Sequence, residues 1–208
     1  MSHEVPHQLA TLAELEARYA APGRASIVKE TDRVTAEYRA LIEAAPFVVV
    51  ASAGPEGLDC SPRGDPAPVV TVADERTLLL PDRRGNNRID TLRNLVADPR
   101  IALLFLIPGV GETIRVAGRA AISVAPDLLV RFAVDGKPPA TVVVVAVERV
   151  YFQCARAIAR ARLWDPSRHA LRAALPSCGR ILDRLETEPF DGAAYDAALP
   201  ERQQRTLY

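Results

Sequence analysis

The hydrophobic pattern changes twice along the chain, and it predicts helices at both ends with strands between them. Before residue 46, leucine and tyrosine recur every three or four positions, as on one face of a helix. From Phe47 the apolar residues come instead in short runs bounded by glycine and proline, which is typical of strands joined by turns. Weak helical periodicity returns after residue 153. We therefore predict one domain with a helical cap at 1–46, a barrel at 47–153 and a helical extension at 154–208.

The strand region favours an antiparallel sheet. Predicted strands lie at 47–52, 58–61, 69–72, 77–80, 101–107, 112–124 and 141–152. Only one helix interrupts the first six of them, which favours a closed or half-closed antiparallel barrel over alternating βαβ units. The run Val142–Val147 is apolar on both faces, so we expect this strand to be central or buried in an interface.

The single helix within the strand region follows a polar loop and supplies the first candidate site. Ile89, Leu92 and Val96, with Leu95 beside them, would form its apolar stripe, and Asn86 or Asn87 would cap its start. Four arginines lie at or near that start: Arg83, Arg84, Arg88 and Arg93. A helix N terminus favours anions, so surplus arginine beside it predicts a phosphate-type anion site. An ordinary capped helix with solvated arginines would give the same pattern.

Composition narrows the function classes. The 208 residues carry 26 basic and 26 acidic side chains with 5% aromatics, which disfavours nucleic-acid binding. No run approaches the roughly 20 apolar residues of a membrane span, and the start lacks a signal-peptide pattern, so we predict a cytoplasmic protein without membrane contact. Three cysteines match no metal or redox spacing and suit buried or idle thiols in a reducing compartment. With three histidines, we predict no metal site.

Four phrases in order along the chain resemble the FMN-binding split-barrel superfamily related to pyridoxamine 5′-phosphate oxidase. Within that superfamily they are similar to a bacterial subfamily. The phrases are SPRGDP at Ser61–Pro66, PDRRGNNRIDTLRNL at Pro81–Leu95, IPGVGETIRVAGRA at Ile107–Ala120 and RARLWDP at Arg160–Pro166. The resemblance implies a mainly β (α+β) fold, namely a six-stranded antiparallel split β-barrel with flanking helices at both termini. It also implies a homodimer with one FMN in each of two clefts between the subunits.

The same resemblance implies which residues would hold FMN. Arg63, Asn87 and Arg88 would grip the phosphate, with Ser61 and Asn86 beside them, because a dianion needs fixed charged donors. The segments 59–61 and 78–81 would form walls and backbone contacts for the flavin ring. The fourth motif, Arg160–Pro166, would bring a further contact to flavin or substrate from the partner subunit. The full predicted set is Ser61, Arg63, Pro81, Asn86, Asn87, Arg88, Arg162 and Trp164.

The expected function is that of an FMN-dependent oxidoreductase acting on an unidentified small molecule. The chain departs from the vitamin-processing oxidase, because it lacks that enzyme's basic, proline-ending tail, and Ala161 stands where a serine is expected. Alternatives are a non-catalytic flavin protein for storage or electron carriage and a deazaflavin-dependent reductase, while scarce histidine disfavours haem. No catalytic residue is predicted. The sequence leaves open whether Glu112, Arg115 and His169 are solvated polar residues or contacts to flavin and substrate.

Overall fold

A computed structural model describes residues 6–208, which divide into two compact units. The first unit ends at Glu30 and the second runs from Thr31 to Tyr208. The first contains two short helices, α1 (Leu12–Glu16) and α2 (Arg24–Val28), and neither helix has a buried residue. Thr11 begins α1 with a capping box, in which its side chain accepts from the Glu14 amide while the Glu14 carboxylate accepts from the Thr11 amide.

The second unit is built on one seven-stranded antiparallel sheet. Its strands are β1 (Phe47–Gly54), β2 (Gly57–Gly64), β3 (Thr71–Asp74), β4 (Thr77–Pro81), β5 (Arg100–Leu106), β6 (Thr113–Ser123) and β7 (Val142–Gln153). The spatial order is β2-β1-β5-β6-β7-β4-β3. The sheet has seven strands where the resemblance implies six. Among residues 6–208 the edge strands β2 and β3 do not pair with each other, so a closed six-stranded barrel is not confirmed.

Helices flank the sheet at both ends, as the sequence predicts. They are α3 (Ala36–Glu43), α4 (Asp90–Ala97), α5 (Pro126–Arg131), α6 (Arg156–Ala161), α7 (Cys178–Leu185) and α8 (Gly192–Arg205). Two glycines allow α7 and α8 to touch, since a Cβ added to Gly179 would lie 2.0 Å from the Gly192 carbonyl oxygen. No helix in the described part of the chain is long and apolar enough to cross a membrane.

One face of the sheet forms the core. The register places Val48 beside Phe105 and Phe105 beside Ile114, so the inward positions of three neighbouring strands meet. All three side chains are fully buried. Tyr38 and Ile42 of α3 pack into the same cluster. β7 lies between β6 and β4, which confirms the central position predicted from its valine run.

Strand β2 continues through Pro62 to Gly64, beyond the predicted end of this strand at residue 61. A proline lacks the N–H that a central strand needs, but β2 is an edge strand and tolerates it. Cys60, Cys154 and Cys178 are all exposed, so of the two predicted states, buried or idle, the buried one is wrong.

Helix α4 follows the predicted apolar stripe only in part. Val96 is 79% exposed and Ile89 is 47% exposed, whereas Leu95 is 4% exposed and packs into the core. The inward face also carries Thr91 and Asn94, which are both buried. Asn94 Nδ2 donates to Ser52 Oγ at 3.2 Å and joins α4 to β1. Its partner makes this polar side chain acceptable in the interior. The predicted stripe is therefore confirmed at Leu92 and Leu95, which pack in or against the core, and wrong at Ile89 and Val96.

Candidate functional site

A cleft of about 940 Å³ opens beside edge strand β2. Its lining comes from three parts of the second unit that are distant in sequence. They are residues 59–64 of β2, residues 82–92 after β4 and into α4, and residues 137–140 with Tyr208. A volume of this size is typical of sites for cofactors and other small molecules. The predicted anion site therefore lies in a concave surface rather than on an isolated helix end.

The loop that leads into α4 has an unusual backbone. Asn87 has φ 60° and Ile89, the N-cap residue, has φ 54°, so both adopt the left-handed conformation. This conformation is a marked outlier for a β-branched residue, and such strain concentrates at functional sites. No side chain caps the helix start. The prediction of an asparagine cap is therefore wrong, since Asn86 Oδ1 accepts from the Arg88 amide at 3.1 Å instead. The first amides of α4 thus lack a side-chain acceptor, and a bound anion could supply one.

Arg63 is held in place by a small polar network. Its Nη2 donates to Thr91 Oγ1 at 3.2 Å and its Nη1 donates to the Pro62 carbonyl at 2.9 Å. The Thr91 hydroxyl donates in turn to the Asp59 carboxylate, which also accepts from Ser61 Oγ at 3.0 Å. The network links β2 to the first turn of α4. Because these contacts leave part of the guanidinium unused, Arg63 is positioned to donate to a ligand as well.

Three further cations line the cleft near the α4 loop. Arg88 is 74% exposed on its side chain and pairs with Asp90 at 2.7 Å. Arg84 and Lys137 are exposed on the same cleft. Exposed ion pairs contribute little and exchange easily, so Arg88 can turn to a bound anion at small cost.

Arg83 differs from the other cleft arginines, because it is part of the wall. Only 18% of its side chain is exposed, and its Nε donates to Asp65 at 2.7 Å. Its Nη1 donates to the Phe132 carbonyl at 2.6 Å. Arg83 is therefore not one of the solvated arginines that an ordinary capped helix would carry.

Asp82 is the cleft carboxyl group whose pKa departs most clearly from its ordinary value. Burial raises its pKa above the ordinary value, and the positive charge of Arg63 opposes that rise. The folded protein thus holds this proton more tightly than the unfolded chain does. Between the ordinary and the raised pKa, the free energy of unfolding falls as pH rises, because the native state binds more protons.

Replacing Asp82 by asparagine is expected to remove this decrease in the free energy of unfolding with rising pH. The variant and the wild type should be about equally stable where Asp82 is protonated, and the variant should be more stable above the raised pKa. Urea unfolding at a series of pH values without added FMN measures the difference. Asp98→Asn is the control of opposite sign, because hydrogen bonds from Arg100 hold the pKa of Asp98 at about 2. A difference between Asp82→Asn and wild type that does not change with pH would contradict the assignment.

Five of the eight predicted cofactor residues line the cleft together: Ser61, Arg63, Asn86, Asn87 and Arg88. Pro81 is buried at the end of β4, one position before the lining begins. The remaining two are not among the cleft-lining residues of this chain. Arg162 pairs with Asp165, and Trp164 Nε1 donates to the Val110 carbonyl at 2.7 Å. The chain therefore brings the predicted phosphate-binding residues together in one cleft and leaves Arg162 and Trp164 outside its lining.

Other residues of the site were missed from the sequence. The segment 59–61 was predicted for its backbone alone, and the role of the Asp59 side chain was missed. It could have been found, because Asp59, Ser61 and Arg63 alternate along β2 and so share a face. Asp82, Thr91 and Lys137 were also missed. Arg115, one of the residues left open, stacks its guanidinium 5.2 Å from the Tyr151 ring centre and does not line the cleft.

The cleft can be placed among known proteins. Residues 34–154 match the family model described as pyridoxamine 5′-phosphate oxidase. The chain belongs to this family. The match spans the whole sheet and both halves of the phosphate-type site. Members of the family generally bind a flavin. No curated protein sequence matches the chain.

Several solved structures are similar at low sequence identity. HupZ of Group A Streptococcus is 18% identical over 58% of this chain and 94% of its own, with a TM-score of 0.49. A Clostridium acetobutylicum protein related to general stress protein 26 is 15% identical over 57% and 86%, with a TM-score of 0.45. A FAD-binding protein of Mesorhizobium loti is 15% identical over 59% and 96%, with a TM-score of 0.41.

Proposed function

We propose that the protein binds FMN in this cleft and is a flavin-dependent oxidoreductase acting on a small molecule. The observation that carries the proposal is the meeting of Arg63 with the uncapped start of α4 in one cleft. In a family that generally binds flavins, this arrangement fits the phosphate end of FMN. Its donors would be the fixed, charged guanidinium of Arg63 and the backbone amides at the start of α4, and charge-assisted donors of this kind suit a dianion.

The other lining residues fit the rest of the cofactor. Ser61, Asn86, Asn87 and Arg88 would add donors around the phosphate, while the backbone of β2 would border the ring. Pro81, one position before the lining, would support this wall from the end of β4. Bound FMN would supply the electron transfer, and the chain would supply binding, orientation and protection from water. A reaction of this kind does not need a nucleophilic side chain or a metal.

We also propose a homodimer with flavin at the subunit interface. The outer face of the sheet carries apolar side chains in register, since Phe47 lies beside Leu106 and Val49 beside Leu104. Phe47 is 37% exposed, and its three neighbours are half-buried. A second copy packed on this face would bury them, and a partner could bring Arg162 and Trp164 to the cleft.

Native mass spectrometry and the visible spectrum of the purified protein test both proposals together. The expected results are a yellow protein, a mass of two chains with two FMN molecules, and FMN as the released ligand. A released ligand with the mass of a deazaflavin would mean that the cofactor is a deazaflavin and not FMN. A yellow protein that is not reduced by NADH or NADPH and turns over no acceptor would indicate storage or electron carriage. A colourless protein that also fails to bind added FMN would contradict the proposed function.

A further inference from the structure

One wall of the cleft comes from a residue far away in the chain. Tyr208 lines the cleft, and it is the only aromatic side chain among the lining residues in the part of the chain that the structure describes. Its hydroxyl donates to Asp65 Oδ1 at 2.7 Å, across 143 positions of sequence. The C-terminal segment is therefore attached to the loop that follows β2.

The tyrosine ring is fixed by two neighbours. Asp65 is 8% exposed on its side chain and uses both of its oxygens, one for Tyr208 and the other for Arg83. The Arg83 guanidinium carbon lies 5.6 Å from the centre of the Tyr208 ring, within the range of a cation–π contact. The hydroxyl and the ring are thus held by different groups, and the ring is presented to the cleft in a defined position.

The cleft needs a flat apolar surface for its proposed ligand. Its phosphate-type end is polar, with Arg63, Arg88 and the α4 amides. An isoalloxazine ring is large, planar and electron-poor when oxidised, so it gains most from stacking on an electron-rich aromatic ring. Pro138 and Pro139 also line the cleft, and Tyr208 supplies the aromatic part of the lining.

We propose that the Tyr208 ring contacts the isoalloxazine ring of FMN and forms the aromatic wall of its site. This inference rests on the proposed function, since it takes FMN to be the ligand. A phenol in contact with a flavin quenches its fluorescence, because the excited flavin takes one electron from the phenol and returns it without net reaction. Quenching therefore reports contact, which a purely structural tyrosine would not give.

Four variants compared with the wild type separate contact from structural support. Tyr208→Phe keeps a ring and loses the hydrogen bond to Asp65, whereas Tyr208→Leu loses the ring. Tyr208→Trp introduces a stronger electron donor. Tyr195→Leu is the matched control, because Tyr195 lies in α8 with the Arg202 guanidinium 4.4 Å from its ring centre, outside the cleft lining.

The measurements are FMN affinity and the fluorescence lifetime of bound FMN. Tyr208→Leu is expected to weaken FMN binding about 2- to 10-fold and to lengthen the lifetime. Tyr208→Trp should shorten the lifetime below that of wild type, and Tyr195→Leu should change neither quantity. Tyr208→Phe should bind FMN nearly as well as wild type.

The outcomes distinguish this inference from the proposed function. A wild type that does not bind FMN overturns both. A wild type that binds FMN, with Tyr208→Leu equal to it in affinity and lifetime, overturns the Tyr208 contact alone. If Tyr208→Leu does not fold, Tyr208→Trp decides, because an unchanged lifetime in that variant contradicts contact with the flavin.

Discussion

Replacing Arg63 and Arg88 together by alanine is expected to weaken FMN binding by roughly 2–5 kcal/mol, as two charge-assisted phosphate contacts are lost. Arg63 should account for the larger share. It is half-buried and fixed by Thr91 and Pro62, whereas Arg88 is 74% exposed and its charge is screened by solvent. Titration of apoprotein with FMN at constant ionic strength measures the loss, and the single variants apportion it.

Arg93→Ala is the matched control for charge. Arg93 is exposed on α4, close in sequence to Arg88, and does not line the cleft. Arg93→Ala removes one positive charge, as Arg88→Ala does, but breaks no proposed phosphate contact, so FMN affinity should stay within about twofold. Equal losses of FMN affinity in Arg93→Ala and Arg88→Ala would mean that Arg88 contributes only a general positive electrostatic field. Unchanged affinity in the double variant would place the phosphate elsewhere.

Leu95→Ala is expected to lower the free energy of unfolding by about 2–5 kcal/mol. Leu95 is 4% exposed, and it is the α4 leucine that enters the core cluster, so truncation leaves a cavity beneath the helix that carries the phosphate-type site. Urea unfolding followed by circular dichroism measures the change. FMN affinity should fall as well, because the α4 start would lose its support.

Val96→Ala is the neighbouring control. Val96 is 79% exposed, so its truncation should change the free energy of unfolding by no more than about 0.5 kcal/mol. Comparable losses of unfolding free energy in the two variants would mean that Val96 packs inward, as the predicted apolar stripe requires.

The sequence predicted much of the sheet, because local patterns carry that information. The hairpin of β1 and β2, the long strands β6 and β7 and the central position of β7 follow from apolar runs and turn residues. Alternation tells which side chains share a face, but it does not tell which strands become neighbours. The order of the strands in the sheet and its open edges depend on pairings such as β1 with β5, which join distant parts of the chain.

The candidate site was predictable where charged or polar residues cluster in sequence. Arg63 and the loop 86–88 do so, and the structure brings them into one cleft. The start of α4 was not predictable, because tertiary contacts decide which face of the helix points inward. A Cβ on Gly54 would lie 2.1 Å from Asn94 Oδ1, so only a glycine there lets α4 pack closely on β1. Hydrophobicity places Thr91 and Asn94 outward, yet hydrogen bonds to Asp59 and Ser52 make their burial favourable. Tyr208 offers no local signal, since its partner is distant in sequence.

The proline in β2 has a consequence for how the protein behaves at high concentration. An open edge strand is a template on which another chain can add a strand and begin aggregation. Pro62 withholds one backbone donor in the middle of that edge, and Arg63 beside it carries a charge that an incoming strand would have to desolvate. The sheet can therefore stay open beside its cleft without inviting fibril growth along the same edge.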